Sequence, residues 1–175
     1  MPKNYYPELP IIPFTSVSVP MSTIINAIKA SNLPLEVQRA SYIVIRNETG
    51  NGHSVVNGTN PGGVQSDSGQ WPAKWDASIV ATSVKKENRT GNERGFVVFD
   101  SLESGVAMIC ERLQARGIFI GGVTHKITNE SVTSPAQLAG VYYREWVTGS
   151  ATYHPNDDEL NGFLSMYKQA EKIFI

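Results

Sequence analysis

The sequence predicts an α+β protein that is mainly α, on three observations. Apolar residues recur at helical spacing in five separate segments. One stretch between residues 78 and 99 instead has two short runs rich in β-branched residues, joined by a polar, Gly-containing link. The helical segments fall before and after that stretch rather than alternating with strands, which is the order of an α+β chain and not of a parallel α/β sheet.

Taken in order, residues 1–20 carry Pro2, Pro7, Pro10, Pro13 and Pro20. Proline fixes φ and lacks an N–H, so this stretch is predicted to be an extended arm outside a single domain spanning 21–175. Met21–Asn32 reads as a short helix with Ser22 as N-cap and Ile24, Ile25 and Ile28 on one face. Pro34 suits the first position of the next helix, which runs to Asn47. Val37, Ala40 and Val44 share a face there, and Ile43 and Ile45 broaden it, so this helix is predicted to be central. Glu48 stands at its C-terminal end and Gly50 is a stop signal. Residues 51–77 read as loop. "SIVATSV" and "GFVVF" then form a hairpin across "KKENRTGNER", a polar link read as a solvated tip.

At "FDSLESG" a helix begins, with Asp100 as cap and Glu103 three residues on in a capping box. Leu102, Val106, Ile109 and Leu113 form its stripe, Cys110 beside them reads as a buried hydrophobe, and Gly117 ends it. "SPAQLAGVYYREWV" aligns Leu138, Val141, Tyr142 and Trp146. A last helix from about Asp157 to Phe174 aligns Leu160, Phe163, Leu164, Tyr167 and Phe174.

Composition narrows the function classes. The 175 residues are 41% hydrophobic and 18% charged with a net charge of -1, so no long polyanion, nucleic acid included, is expected as partner. One cysteine, Cys110, and three scattered histidines, His53, His125 and His154, give no metal-ligand spacing, and neither metal nor cofactor is expected. No apolar run approaches the roughly 20 residues of a membrane span. The start, "MPKNYYPELP", has no export-signal pattern, which predicts synthesis in a cytoplasm and departure, if any, by another route.

The stretch that carries chemistry is "RNETGNGHSVVNGTNPGGVQSDSGQW", Arg46–Trp71. A helix C-terminus carries partial negative charge, and an apolar helix body adds desolvation. Both favour the neutral form of a carboxyl at Glu48. A carboxylic acid that keeps its proton near neutral pH can donate it to a glycosidic leaving oxygen. The loop beyond offers Asn57, Asn60, Gln65 and Ser66 as polar groups, glycines that permit close approach, and Trp71 and Trp75 as flat surfaces for sugar rings.

These residues resemble those of goose-type lysozymes and soluble lytic transglycosylases. Glu48-Thr49 looks like that family's acid and neighbouring hydroxyl. "GGVQ" at 62–65 looks like its later Gly-apolar-Gln, 17 residues on at Gln65. "FDSLESGVAMICERL", 99–113, is similar to a signature of bacteriophage-encoded transglycosylase-like proteins. The resemblance covers about 22–174 in the same order. It implies a lysozyme-like fold with a small β-hairpin between helical parts. The implied enzyme cleaves the β-1,4 bond between N-acetylmuramic acid and N-acetylglucosamine in peptidoglycan.

By position, the resemblance makes Glu48 the catalytic acid/base, Thr49 its orienting neighbour and Gln65 a cleft residue. Asn60, Asp67, Tyr142 and Tyr143 complete the expected substrate contacts. Two departures are visible. Val64 stands where the family has Met, and its Ala-Tyr-Asn-Ala-Gly motif is absent, "AGVYYREW" being the nearest substitute. As a lytic transglycosylase the chain would use Glu48 alone. As a muramidase it would add a second carboxylate, Asp67 before Asp76 or Asp100. A wall-binding virion module or a peptidase on the same scaffold are the alternatives. The setting implied is a phage virion or lysis protein, or a delivered effector, acting at the cell wall, with the arm available to other virion proteins.

Overall fold

Local chemistry accounts for most element boundaries in the computed structural model, which describes residues 8–66 and 71–175. The elements are β1 (Ile11–Pro13), β2 (Ser16–Val17), α1 (Met21–Ala30), α2 (Leu35–Glu48), β3 (Val55–Val56), β4 (Ile79–Lys86), β5 (Glu93–Phe99), α3 (Leu102–Ala115), α4 (Pro135–Val141) and α5 (Asp157–Ile173). A 3-10 turn, Ala73–Ser78, precedes β4, and a π-helical stretch, Tyr142–Thr148, continues α4. The fold is α+β and mainly α, as the sequence predicts. No helix among the described residues is long and apolar enough to cross a membrane.

The chain divides into two compact units. The first comprises residues up to Ala30 together with Ile45–Met108, and the second Ser31–Val44 with Ile109–Ile175. This differs from an arm attached to one domain. Residues 1–7 of the expected arm lie outside the described residues, and the rest of it is built into the first unit. There β1 pairs in parallel with β4, Ile11 opposite Thr82, and β2 pairs antiparallel with β3, Ser16 opposite Val56. Prolines permit this because each sits where no ladder N–H is required: Pro10 uses its carbonyl, accepting from Thr82 N at 2.9 Å.

In the first unit, β4 and β5 form the expected hairpin, with Lys86 opposite Glu93 and a bulge between Ile79 and Ala81. Ile24, Ile28, Val55, Ile79, Val97, Phe99 and Val106 are all buried. Each such side chain stabilises by roughly 1.5–3 kcal/mol when removed from water. α1 begins directly after Pro20, whose carbonyl accepts from Thr23 and Ile24, so Ser22 lies inside the helix and does not cap it. The cap of α3 is Ser101, not Asp100: its Oγ accepts from Ser104 N at 3.2 Å, and a hydroxyl one residue nearer the helix outcompetes the carboxylate. Gly105, in the first turn of α3, lies against the loop before it. A Cβ there would stand 1.9 Å from the Thr59 carbonyl oxygen.

In the second unit, Val37, Ala40, Ile43, Ile109, Leu113, Leu138, Val141 and Phe163 are buried. Ser134 caps α4, and Asn156 with Glu159 forms a full capping box on α5. The start of α2 and the end of α5 are tied by a chain of bonds. Tyr167 Oη donates to Glu36 Oε2 (2.7 Å), Arg39 Nη1 to Glu36 Oε1 (2.7 Å), and Arg39 Nη2 to the Phe174 carbonyl (2.9 Å). Burial, and then the Glu36 carboxylate, push the Tyr167 phenol up to about 12. Cys110 is fully buried, and burial pushes its thiol up to about 11.

Two outcomes follow. Gly105→Ala has no room beside Thr59 O and should lower unfolding free energy by about 2 kcal/mol or more, read from urea denaturation. Tyr167 holds its proton longer folded than unfolded, so its contribution is intact below about pH 10 and is lost as pH rises toward about 12. Stability measured across that window should fall by on the order of 2 kcal/mol, and Tyr167→Phe should flatten the fall.

Candidate functional site

α2 delivers Glu48. Its body is buried through Val37, Ala40, Tyr42, Ile43, Val44 and Ile45, while Glu48, its last residue, is exposed. The location at a helix C-terminus is as expected, but the free protein does not supply the expected desolvation. The chain reverses immediately afterwards. Gly50, Asn51 and Gly52 all take positive φ (56°, 62° and 84°), which is why this stretch is written in Gly and Asn. Gly52 is irreplaceable on a second count, since a Cβ there would lie 2.2 Å from Val19 O. Thr49 pins the reversal: its Oγ1 donates to Ile45 O (2.6 Å) and accepts from Gly52 N (2.9 Å). Thr49 is buried at 2% exposure, so its hydroxyl orients backbone rather than substrate.

The loop beyond is far more ordered than its composition suggests. Asn60 is 1% exposed, and its amide is shared among three backbone groups. Nδ2 donates to Val64 O and Val97 O, each at 2.9 Å, and Oδ1 accepts from Val64 N at 2.9 Å. Asn57 is also used internally, donating to Pro13 O and accepting from Ser83 Oγ. Asn60 is not presented to a ligand, and Asn57 is half-buried. Residues 64–66 are thereby laid along β5: Val97 N donates to Val64 O, Ser66 N to Gly95 O, and Gln65 bridges to Phe96.

That pairing places Gln65 in the wall of a cavity of about 760 Å³, with Phe96, Lys85, Arg89, Glu87 and Arg94. Glu87 is already held by Arg94 Nε and Thr90 Oγ1, both at 2.6 Å, and these two bonds keep its carboxyl below the usual range. Lys85, whose ammonium lies 5.0 Å from the Phe14 ring centroid, and Arg89 therefore give the wall a positive surplus. The hairpin link is thus part of a cavity and not only a solvated tip. Glu48 does not line this cavity.

The remaining expected residues separate. Asp67 lies outside the described residues. Tyr142 is a core residue of the second unit, 4% exposed, its ring 5.5 Å from that of Phe163. Tyr143 is half-buried, stacked on Tyr153 at 5.8 Å, and its phenol is raised by burial and then by Glu159. Trp71 is buried and donates to Asp76 Oδ1 at 3.1 Å, so both anchor the loop. Trp75 is half-buried beneath Lys74 Nζ, and His53 is exposed. Asp100 is exposed and its N–H donates to Ser78 O. Among the described residues no cluster of His, Cys, Asp or Glu is arranged to hold a metal ion. Sequence reasoning missed Lys85, Arg89 and Phe96 as cavity residues. The signal was the strand period, which puts Lys85 and the residues opposite it at one end of the hairpin.

Comparison with known proteins finds no matching family model, no matching curated protein and no matching solved structure.

Asn60→Ala should be costly because it takes the amide partner from two buried backbone groups, Val64 N and Val97 O, and one of two donors from Val64 O. At about 1–3 kcal/mol per unsatisfied group, partly relieved by water, a loss of about 3 kcal/mol is expected in urea denaturation. Native-state hydrogen exchange of Val64 and Val97 should accelerate with it.

Proposed function

We propose that this chain cleaves the β-1,4 bond between N-acetylmuramic acid and N-acetylglucosamine in peptidoglycan, with Glu48 as general acid and then base. One observation carries the reading. Glu48 is exposed at the end of a helix whose body, residues 37–45, is mostly buried, and the backbone beyond it is fixed by Thr49 and three left-handed residues. A catalytic carboxyl on a rigid stem needs no further ordering when substrate arrives. The resemblance of Glu48-Thr49, "GGVQ" and the 99–113 signature, in order, supports the same assignment.

In this reading the bound glycan supplies what the free protein lacks. A strand lying over Glu48 displaces water, disfavours the carboxylate and raises its proton affinity. Glu48 then protonates the bridging oxygen as positive charge develops on the muramoyl carbon. The ionised Glu48 next takes the proton of the muramoyl 6-hydroxyl as that oxygen closes a 1,6-anhydro ring. A hydrolase would instead direct water with a second carboxylate, Asp67. Gln65 and the positive cavity fit a glycan strand, because its peptide stems carry carboxylates. A virion or lysis setting remains part of the proposal, as does contact with other virion proteins.

A second reading, a wall-binding module without catalysis, is favoured by the exposure of Glu48 and by the internal use of Thr49 and Asn60. Mass spectrometry of peptidoglycan digests separates the outcomes. Anhydro-muropeptides are expected; reducing ends would mean a muramidase, new peptide termini a peptidase, and unchanged peptidoglycan a binding module. Glu48→Gln should lower the rate ~10²–10⁴-fold without altering the unfolding midpoint. Full activity in that variant removes Glu48 from the mechanism.

A further inference from the structure

A second concentration of charge lies in the second unit, and no step above uses it. Arg112 stands in the last turn of α3 and Arg116, four residues on, just past its end. Their guanidinium carbons lie 5.8 and 5.3 Å from the centroid of the Trp146 ring, in the π-helical stretch. The loop carrying Lys126 folds onto the same stretch. Ile127 N and Thr128 N donate to Glu145 Oε1 at 3.0 and 2.7 Å, and Thr128 Oγ1 does so at 3.1 Å.

Glu145 is 2% exposed. Burial pushes its carboxyl up, but the Thr128 and Ile127 donors, with Arg116, outweigh burial and hold it below the usual range. It is therefore an anion whose oxygens are engaged chiefly by loop donors. Arg116 Nη2 donates to the Glu145 backbone carbonyl and lies 3.9 Å from Glu145 Oε2.

Three cations thus gather near one another with one carboxylate, Glu145, beside Arg116 and Lys126, a surplus of two. Arg116 has a structural task in bracing Glu145, yet its buried Nε has no hydrogen-bond partner. Arg112 has no such task. Among the described residues it makes no hydrogen bond or ion pair, and its one directed contact is the Trp146 ring. Lys126 is exposed, and its ammonium is held below its usual value first by Arg116, then by burial and Arg112. Gathering like charges costs energy, and the partial burial of Arg112 adds to that cost. An incoming anion removes that cost.

We propose that Arg112, Arg116 and Lys126, grouped around Trp146, bind a phosphate group. Phosphate carries close to two negative charges near neutral pH, matching the surplus, and its oxygens suit paired guanidinium forks. A carboxylate would neutralise only half of it. The proposal does not depend on Glu48 or on the reading of the chain as a wall enzyme.

The test titrates inorganic phosphate into the full chain at constant ionic strength, following amide and Arg side-chain NMR signals, with acetate and glycerol phosphate as parallel arms. Saturable shifts confined to residues 112–116, 125–128 and 145–146 are expected. Arg112→Gln and Lys126→Gln should each weaken binding by roughly tenfold. Lys126 is exposed, so its variant keeps the test informative if Arg112→Gln unfolds. Lys85→Gln and Glu48→Gln should leave binding unchanged. Glycerol phosphate binding as well as phosphate identifies a carried group, and phosphate alone a free ion; either supports the site. Non-saturating shifts, equal binding of acetate, or loss of binding in Lys85→Gln would overturn it.

Discussion

The first unit depends on one side-chain amide. Asn60 gives two N–H bonds to carbonyls of Val64 and Val97 and takes one from Val64 N, so a Gly-rich loop is closed on itself and stitched to β5 by a single residue. Its neighbour Thr59 joins two further elements, accepting from Phe99 N through its hydroxyl and presenting its carbonyl to the face of Gly105. Loop, hairpin and the start of α3 therefore converge within two consecutive residues. Buried amides at such junctions are constrained strongly because an unmatched partner costs more than the bond itself gains. The position of Gln65 against Phe96 is a product of that convergence.

The second unit is organised by charge rather than by a polar loop. Arg144 makes a two-pronged ion pair with Glu130, Nη2 to Oε2 at 2.6 Å and Nε to Oε1 at 3.0 Å, and reaches the Tyr153 carbonyl. Its guanidinium lies over Gly140, where a Cβ would stand 3.1 Å from Nη2. Adjacent Glu145 points to the 127–128 loop. The π-helical winding sits where these two opposite charges leave the helix in different directions. Wider turns of this kind often mark functional positions.

Much of this architecture was legible in the sequence. All five helices and the hairpin follow from period, and the end of α2 from the Gly50 that follows it. At the candidate site the main failure had one physical reason: polar residues were assumed to face water. Asn57, Asn60 and Thr49 face inward because a loop folded against a sheet must satisfy its own backbone, and no periodicity announces which polar side chain will do it. Asp100 reads as the cap of α3 from its spacing to Glu103, whereas the Ser101 hydroxyl accepts from the Ser104 N–H. At the candidate site, the helix-end position of Glu48 was readable, whereas its exposure depends on tertiary packing. The cations of "KKENRTGNER" read as solvated because part of the wall beside them is Gln65, which lies well before them in sequence.

Cys110 has a practical consequence. It is the chain's only thiol, sealed inside the second unit and held away from its nucleophilic thiolate form. Alkylating reagents can reach it only when that interior opens, so labelling rate becomes an intrinsic clock for breathing of the second unit. The native sequence carries this reporter already, with no engineered probe required.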